Sequence, residues 1–266
     1  MLLDFQKLGI WKWALYGICV LMSLFLLLPI LFIVALSFGS SRWLIFPPPD
    51  WTMKWYHDLF ADPRWIQAAL TSAKIGLIVM VVSVTLGLLA SLALVRGKFR
   101  GRAVLRAFFL TPMVLPVVIL AVALYAAFLR LGLNGTLTGF VIAHVIVALP
   151  FAIITISGAL ETFDPAIEDA AILCGASPWE ARLRVTLPCI SHGMFSAAIF
   201  SFLISWDEVV LAIFMASPSL QTLPVKVWTT LRQDLTPVIA AASTLLVGLT
   251  MLLMIVAALI RKGKSE

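Results

Sequence analysis

Charge is what this sequence has least of. Asp, Glu, Lys and Arg make up 12% of its 266 residues, about half the share in a soluble domain. Apolar residues fill 62% of the chain, and the mean hydropathy is +1.08. A water-soluble fold cannot hide that much apolar surface, so a soluble enzyme is excluded. Cysteine is scarce too: Cys19, Cys174 and Cys189 form no CxxC pair and no disulfide framework. Cys174, Cys189 and His192 lie near one another but match no zinc spacing, so no metal site is expected. No Walker sequence or glycine-rich phosphate loop is present, which excludes ATP hydrolysis by the chain itself. No catalytic constellation stands out. The formal charge of +6 is not gathered on a polar surface, so nucleic acid is not an expected partner.

What is there is six long apolar runs: about 14–38, 66–95, 104–129, 137–160, 190–216 and 238–260. Each is long enough to cross a bilayer with some tilt. The first is too long for a cleaved signal and lacks a small-x-small cleavage site. The fold expected is therefore an all-α integral membrane protein, one domain over 1–266, in contact with lipid. Six crossings put both termini on one side. That side carries Lys7, Lys12, Arg96, Lys98, Arg100, Arg102, Arg106, Arg182, Arg184, Arg261, Lys262 and Lys264. The other carries only Arg42, Lys54, Arg64, Arg130, Lys226 and Arg232. Excess Lys and Arg mark the cytoplasmic side, so both termini are expected there. Pro29, Pro112, Pro116 and Pro150 fall inside the runs and are expected to kink them.

The loop 161–189 between the fourth and fifth runs has strong local signals. Asp164-Pro165 reads as an N-cap and first helical position. Gly175 ends that helix in the left-handed conformation. Ser177-Pro-Trp-Glu180 is a capping box that opens a second short helix, running to about Thr186. The loop is thus an elbow of two helices around a tight turn. It is either a rigid cap on the helix ends or a docking surface.

Its residues also carry a resemblance. Asp169-Ala-Ala-Ile-Leu-Cys-Gly175, nine residues, then Val185-Thr-Leu-Pro188 resembles the EAA loop of ATP-binding cassette (ABC) importer permeases. Asp169 stands for Glu and Val185 for Ile. Thr52-Met-Lys-Trp-Tyr56 and Leu223-Pro-Val-Lys-Val-Trp228 are similar to stretches of the spermidine/putrescine-type members. The resemblance implies a six-helix permease bundle in a bacterial inner membrane, forming half of a translocation pathway. It implies a second permease, usually a different chain, two ATPase subunits that carry the ATP and Mg, and a periplasmic solute-binding protein. No cofactor is implied in this chain. Asp169, Ala170, Gly175, Ala176, Ser177, Pro178, Trp179 and Arg182 then form the coupling surface, with Trp179 as its anchor.

Two acids, Asp207 and Glu208, fall inside the fifth run. A charge near the bilayer centre costs at least about 2.5–3.5 kcal/mol, so such groups face a wet cavity or pair with a cation. On a continuous helix Glu208 shares a small, polar stripe with Ser205, Ser201 and Ala212, which favours it for a pore. The polyamine-type permeases carry an acidic pair here, and in them the first acid is linked to substrate. Both remain candidates, with Trp206 between them and the serines, and a buried pair with Lys74 is the alternative. His144 is a further pathway candidate, or a core histidine. Acidic lining suits a small cationic or amine-containing solute. Thr111-Pro-Met113 lacks the acid that polyamine permeases carry there, so opines and amino-acid derivatives are included. A self-sufficient carrier or channel using these acids as a proton relay is the alternative function. Trp43, Trp51, Trp55, Tyr56 and Trp65 are expected as an interfacial aromatic belt.

Overall fold

The computed structural model describes Gly9 and residues 11–262, with side chains as far as Ile255. Lys7 and Lys264, used above for orientation, lie outside the described residues, as do the side chains of Arg261 and Lys262. The described chain is helical throughout, and its only β-contacts are two isolated bridges. Helices α1 (Trp11–Ser37), α2 (Lys54–Ala61), α3 (Pro63–Arg96), α4 (Arg102–Val114), α5 (Val117–Leu131) and α6 (Leu137–Thr162) come first. They are followed by α7 (Pro165–Leu173), α8 (Pro178–Ala181), a π-turn (Arg182–Thr186), α9 (Leu187–Cys189) and α10 (Ser191–Asp207). The chain ends in α11 (Val210–Met215), α12 (Leu223–Gln233) and α13 (Pro237–Lys262).

Four helices are long and apolar enough to cross a membrane, and two bent pairs raise the number to six. The third expected span is one of those pairs, with α4 and α5 meeting at 103°. Pro116 causes the break. A proline ring clashes with the residue before it and drives that residue out of helical conformation, and Leu115 lies at φ −73°, ψ 138°. Pro112 and Pro150, by contrast, sit inside continuous helices. The fifth expected span also departs from one helix. It stops at Asp207, passes Glu208 in extended conformation, and restarts as α11.

Two compact units divide the chain: one runs to Asp62 and includes Thr230–Leu249, the other spans Pro63–Thr229 and resumes at Thr250. In the first unit, the loop after α1 is closed by Ser40 donating to the Asp50 carbonyl and Thr52 to that of Phe38. Trp55 is buried there and its indole donates to the Gly39 carbonyl at 2.6 Å. The aromatic belt therefore divides: Trp43 and Trp51 are exposed, whereas Trp55 and, in the second unit, Trp65 are core residues. An indole that finds an acceptor indoors is better buried than left at the surface.

The second unit is built on α3, α6 and α10. Without a hydrophobic drive between helices in lipid, close approach at small residues and side-chain hydrogen bonds hold such bundles. A Cβ on Gly87 would stand 2.9 Å from the Ala152 methyl, so α3 and α6 touch almost backbone to backbone. Ser91 donates to the Ile153 carbonyl at 3.1 Å and accepts from Ser157 at 3.1 Å. Ile75, Val79, Phe140, Ala143, Ala148, Ala212 and Met215 fill the core near one end, and Ala152, Ile156, Leu160, Ile190 and Ala197 near the other. Arg96 closes the end of α6: its guanidinium donates to the Phe163 carbonyl at 3.2 Å and lies over the Phe163 ring. A cation at a helix C-terminus also complements the helix dipole.

Candidate functional site

The elbow forms through its own short-range chemistry. The Asp164 carboxylate accepts the Ala166 N–H at 2.9 Å with Pro165 at the first turn, which starts α7. α7 ends in a Schellman motif: Ala176 N–H donates to the Ala171 carbonyl and Gly175 N–H to that of Ile172. Gly175 has φ +96°, and a Cβ built on it meets nothing within 4 Å. Backbone conformation, not space, is what requires glycine there. The capping box then opens α8. Ser177 Oγ accepts the Glu180 N–H at 3.3 Å, and Glu180 Oε2 accepts the Ser177 N–H at 3.0 Å. The Ser177 bonds, its backbone N–H foremost, hold the Glu180 carboxyl below the ordinary carboxylate range.

The elbow projects apolar side chains. Trp179 is 60% exposed and Leu173 89%, with Ile167, Ile172 and Leu183 also exposed. Asp169, Ala170, Ser177, Pro178 and Arg182 share that open surface, while Ala176 is half-buried. The second half of the elbow is not a uniform short helix: α8 gives way to the π-turn before Pro188. One residue that the sequence did not single out joins the two halves. Glu168 Oε2 accepts from the buried Thr186 hydroxyl at 2.9 Å, and Oε1 accepts from Arg182 Nε at 3.4 Å. Its partners are 14 and 18 positions away, beyond any helical periodicity.

The second group lies along α10 and at its end. His144, Ser201, Ser205 and Trp206 are all buried within this chain. His144 Nδ1 and Ser205 Oγ are 2.8 Å apart, and Trp206 stacks on Phe202 with centroids 5.7 Å apart. The stripe that favoured Glu208 for a pore is thus the face that packs inward. Nor does Glu208 continue that stripe, because the helix has ended. Its carboxylate accepts the Leu211 N–H at 2.9 Å, at the start of α11. Asp207 is the exposed acid, on the last turn of α10. Among the described residues neither acid forms an ion pair, and Lys74 is exposed without one to either.

A small polar pocket of about 80 Å³ lies between the start of α3 and the chain before α12, lined by Arg64, Gln67, Thr71, Gln221 and Lys226. The Lys226 ammonium sits 5.5 Å from the Trp65 ring centroid. Among the described residues no three His, Cys, Asp or Glu side chains gather as metal ligands.

Known proteins resemble the chain over most of its length. It is 29% identical over 245 residues to the spermidine/putrescine transport system permease protein PotC of Escherichia coli (strain K12), covering 91% of each. To the putrescine transport system permease protein PotI of the same strain it is 33% identical over 232 residues, covering 84% of this chain and 82% of PotI. In structure it is similar to a bacterial ABC transporter involved in the import of the acidic polysaccharide alginate, with a TM-score of 0.70, 16% identity and 98% of each chain covered. A second structure of a bacterial alginate ABC transporter, in complex with an alginate pentasaccharide-bound periplasmic protein, gives a TM-score of 0.73 at 15% identity, covering 96% and 94%. At such identity the likeness establishes the fold alone. Residues 83–265 match the family described as binding-protein-dependent transport system inner membrane component. With that match over most of the chain, the protein belongs to this family of multi-pass inner-membrane ABC importer permeases.

Proposed function

We propose that this chain forms half of the translocation pathway of an ATP-driven importer for a small cationic or amine-containing solute: a polyamine, an opine or an amino-acid derivative. The elbow seats on a separate ATPase, two of which bind ATP and Mg and drive the permeases between outward- and inward-facing states. Trp179 is the anchor and Asp169 a charged contact. Both termini and the elbow face the cytoplasm. A second permease, a different chain, completes the pathway, and a periplasmic binding protein delivers the solute.

The observation that carries this reading is the elbow. Its caps and Schellman turn make it rigid, yet Trp179, Leu173 and Ile172 are left in the open. An exposed apolar cluster held on a rigid frame suits a partner. The substrate class has two supports: the exposed Asp207 at the end of α10, which forms no ion pair among the described residues, and the names of the relatives, PotC and PotI.

The test is reconstitution in proteoliposomes with a second permease, an ATPase and a solute-binding protein from the same organism. Radiolabelled putrescine is the first probe, with spermidine and octopine as competitors. Uptake is expected only with ATP and all four components. Saturable movement of solute by this chain alone, without ATP, would instead support a self-sufficient carrier.

A further inference from the structure

The π-turn at Arg182–Thr186 lies between the elbow's α8 and the start of α10. Such turns are rare, occur mostly as single turns within helices, and are found often at functional sites. Here the turn is one of two breaks in the helical path from elbow to bundle, the other being the 69° bend between Cys189 and Ser191. A force applied at Trp179 must pass through it to reach α10, unless something stops the turn from yielding.

One carboxylate does that. Glu168, on α7, is bonded to the first and the last residue of the turn: Arg182 Nε at 3.4 Å and the Thr186 hydroxyl at 2.9 Å. Thr186 is fully buried and the Glu168 side chain is only 16% exposed, so the Thr186 bond is shielded from water, whereas the Arg182 side chain is 47% exposed and its bond is open to solvent. α7 carries no buried residue of its own, so apolar packing contributes little to holding it against the turn. Val185 and Leu187, on either side of Thr186, pack against the same core cluster that holds Ile190 and Ala197, which ties the turn to the foot of α10 across the bend. Asp207 lies at the far end of that same helix.

We propose that Glu168 is a positioning residue that locks the π-turn, so that displacement of the elbow by an ATPase reaches α10 instead of being absorbed in the turn. The inference rests on the proposed docking of the elbow, but the lock itself is a property of this chain.

The test uses the full transporter, with Cys19, Cys174 and Cys189 replaced by Ser and nitroxide labels at Leu173→Cys and Phe200→Cys, both exposed positions. Pulsed electron resonance reads the label-to-label distance with ADP and with ATP. With Glu168 present, one narrow distance is expected in both nucleotide states. Glu168→Ala is expected to raise the displaced population about tenfold, as loss of a hydrogen bond to a charged group implies. Glu168→Gln keeps an acceptor for Thr186 and restores much of the narrow peak. Thr186→Val gives the same broadening as Glu168→Ala while leaving the Arg182 pair in place. Unchanged distances in Glu168→Ala, or a broad distribution already present before substitution, overturns the lock. So does an equal loss of melting temperature in Glu168→Ala and Glu168→Gln with no rescue of the peak, which would make Glu168 a general stabiliser. Failure of the ATPase to co-purify with the unsubstituted chain tells against docking instead, and the width measured on the permease alone still decides the lock.

Discussion

Ser177 and Glu180 hold each other across the first turn of α8. Each side chain accepts the other's backbone N–H, at 3.3 and 3.0 Å, and the Ser177 hydroxyl also donates to Glu180 Oε2 at 2.9 Å. These bonds favour the ionised carboxylate, so the Glu180 pKa in the folded elbow lies below its unfolded value. A group depressed in this way contributes stability that is fully present above the unfolded pKa. That stability is lost as pH falls through the folded one. Amide protection at Ser177, Glu180 and Ala181 is therefore expected to be flat near neutrality and to fall at pH values below the ordinary carboxylate range. Glu180→Gln removes the step. A protection profile with the same acid step in Glu180→Gln would contradict this.

Gly175 separates conformation from space. A Cβ there has room but no comfortable backbone, since φ is +96°. Placing an L side chain in a left-handed conformation costs about 1–2 kcal/mol, least for Asn and most for β-branched residues. ATPase retention is expected to fall in the order Asn, Ala, Val at this position, with membrane insertion unchanged. Equal retention in all three would mean that the turn angle does not set the docking surface.

Gly87 is the opposite case. Its Cβ would strike Ala152 at 2.9 Å, so Gly87→Val must part α3 from α6, and overpacking of this kind costs about 1–3 kcal/mol. A lower melting temperature in detergent is expected, partly recovered by Ala152→Gly. No recovery in the double variant would place the cost elsewhere.

The acids and the histidine are expected to divide by readout. Asp207 is exposed and forms no ion pair among the described residues, so Asp207→Asn should lower uptake per folded molecule while the melting temperature stays put. Glu208→Ala removes the carboxylate that accepts the Leu211 N–H at the start of α11, and losing a hydrogen bond to a charged group costs about 1.5–3 kcal/mol. Ser205→Ala strips the partner of buried His144, a loss of about 1–3 kcal/mol. Both are expected to lower stability first. Unchanged uptake in Asp207→Asn would remove Asp207 from the substrate path.

What could be read from sequence here was local. Asp164-Pro165, Gly175 and the Ser177–Glu180 box act over two to five residues, and each forms the cap its residue type favours. The apolar runs were equally legible, because bilayer thickness fixes their length. The breaks were not. Pro112, Pro116 and Pro150 look alike in sequence, but only Pro116 separates two helices. Glu208 lies just past the end of α10 in extended conformation, so the helical stripe of Ser201 and Ser205 does not run through it. Trp55 and Trp65 were legible as aromatics but not as core, since burial depends on partners such as the Gly39 carbonyl. Glu168 was invisible for the same reason: its role comes from residues the fold brings to it.

The central claim is that the elbow is where an ATPase seats, and co-purification tests it most directly. The chain is expressed with its second permease and a tagged ATPase, and the permease recovered on the tag is quantified for the parent and for Trp179→Ala. The Trp179 side chain is 60% exposed, so its truncation is expected to leave the fold intact. Truncating a hot-spot aromatic costs at least about 2 kcal/mol, so recovery is expected to fall more than tenfold with an unchanged melting temperature. Full recovery of Trp179→Ala, together with full recovery of Gly175→Val, would make the elbow a cap on the helix ends and contradict the account.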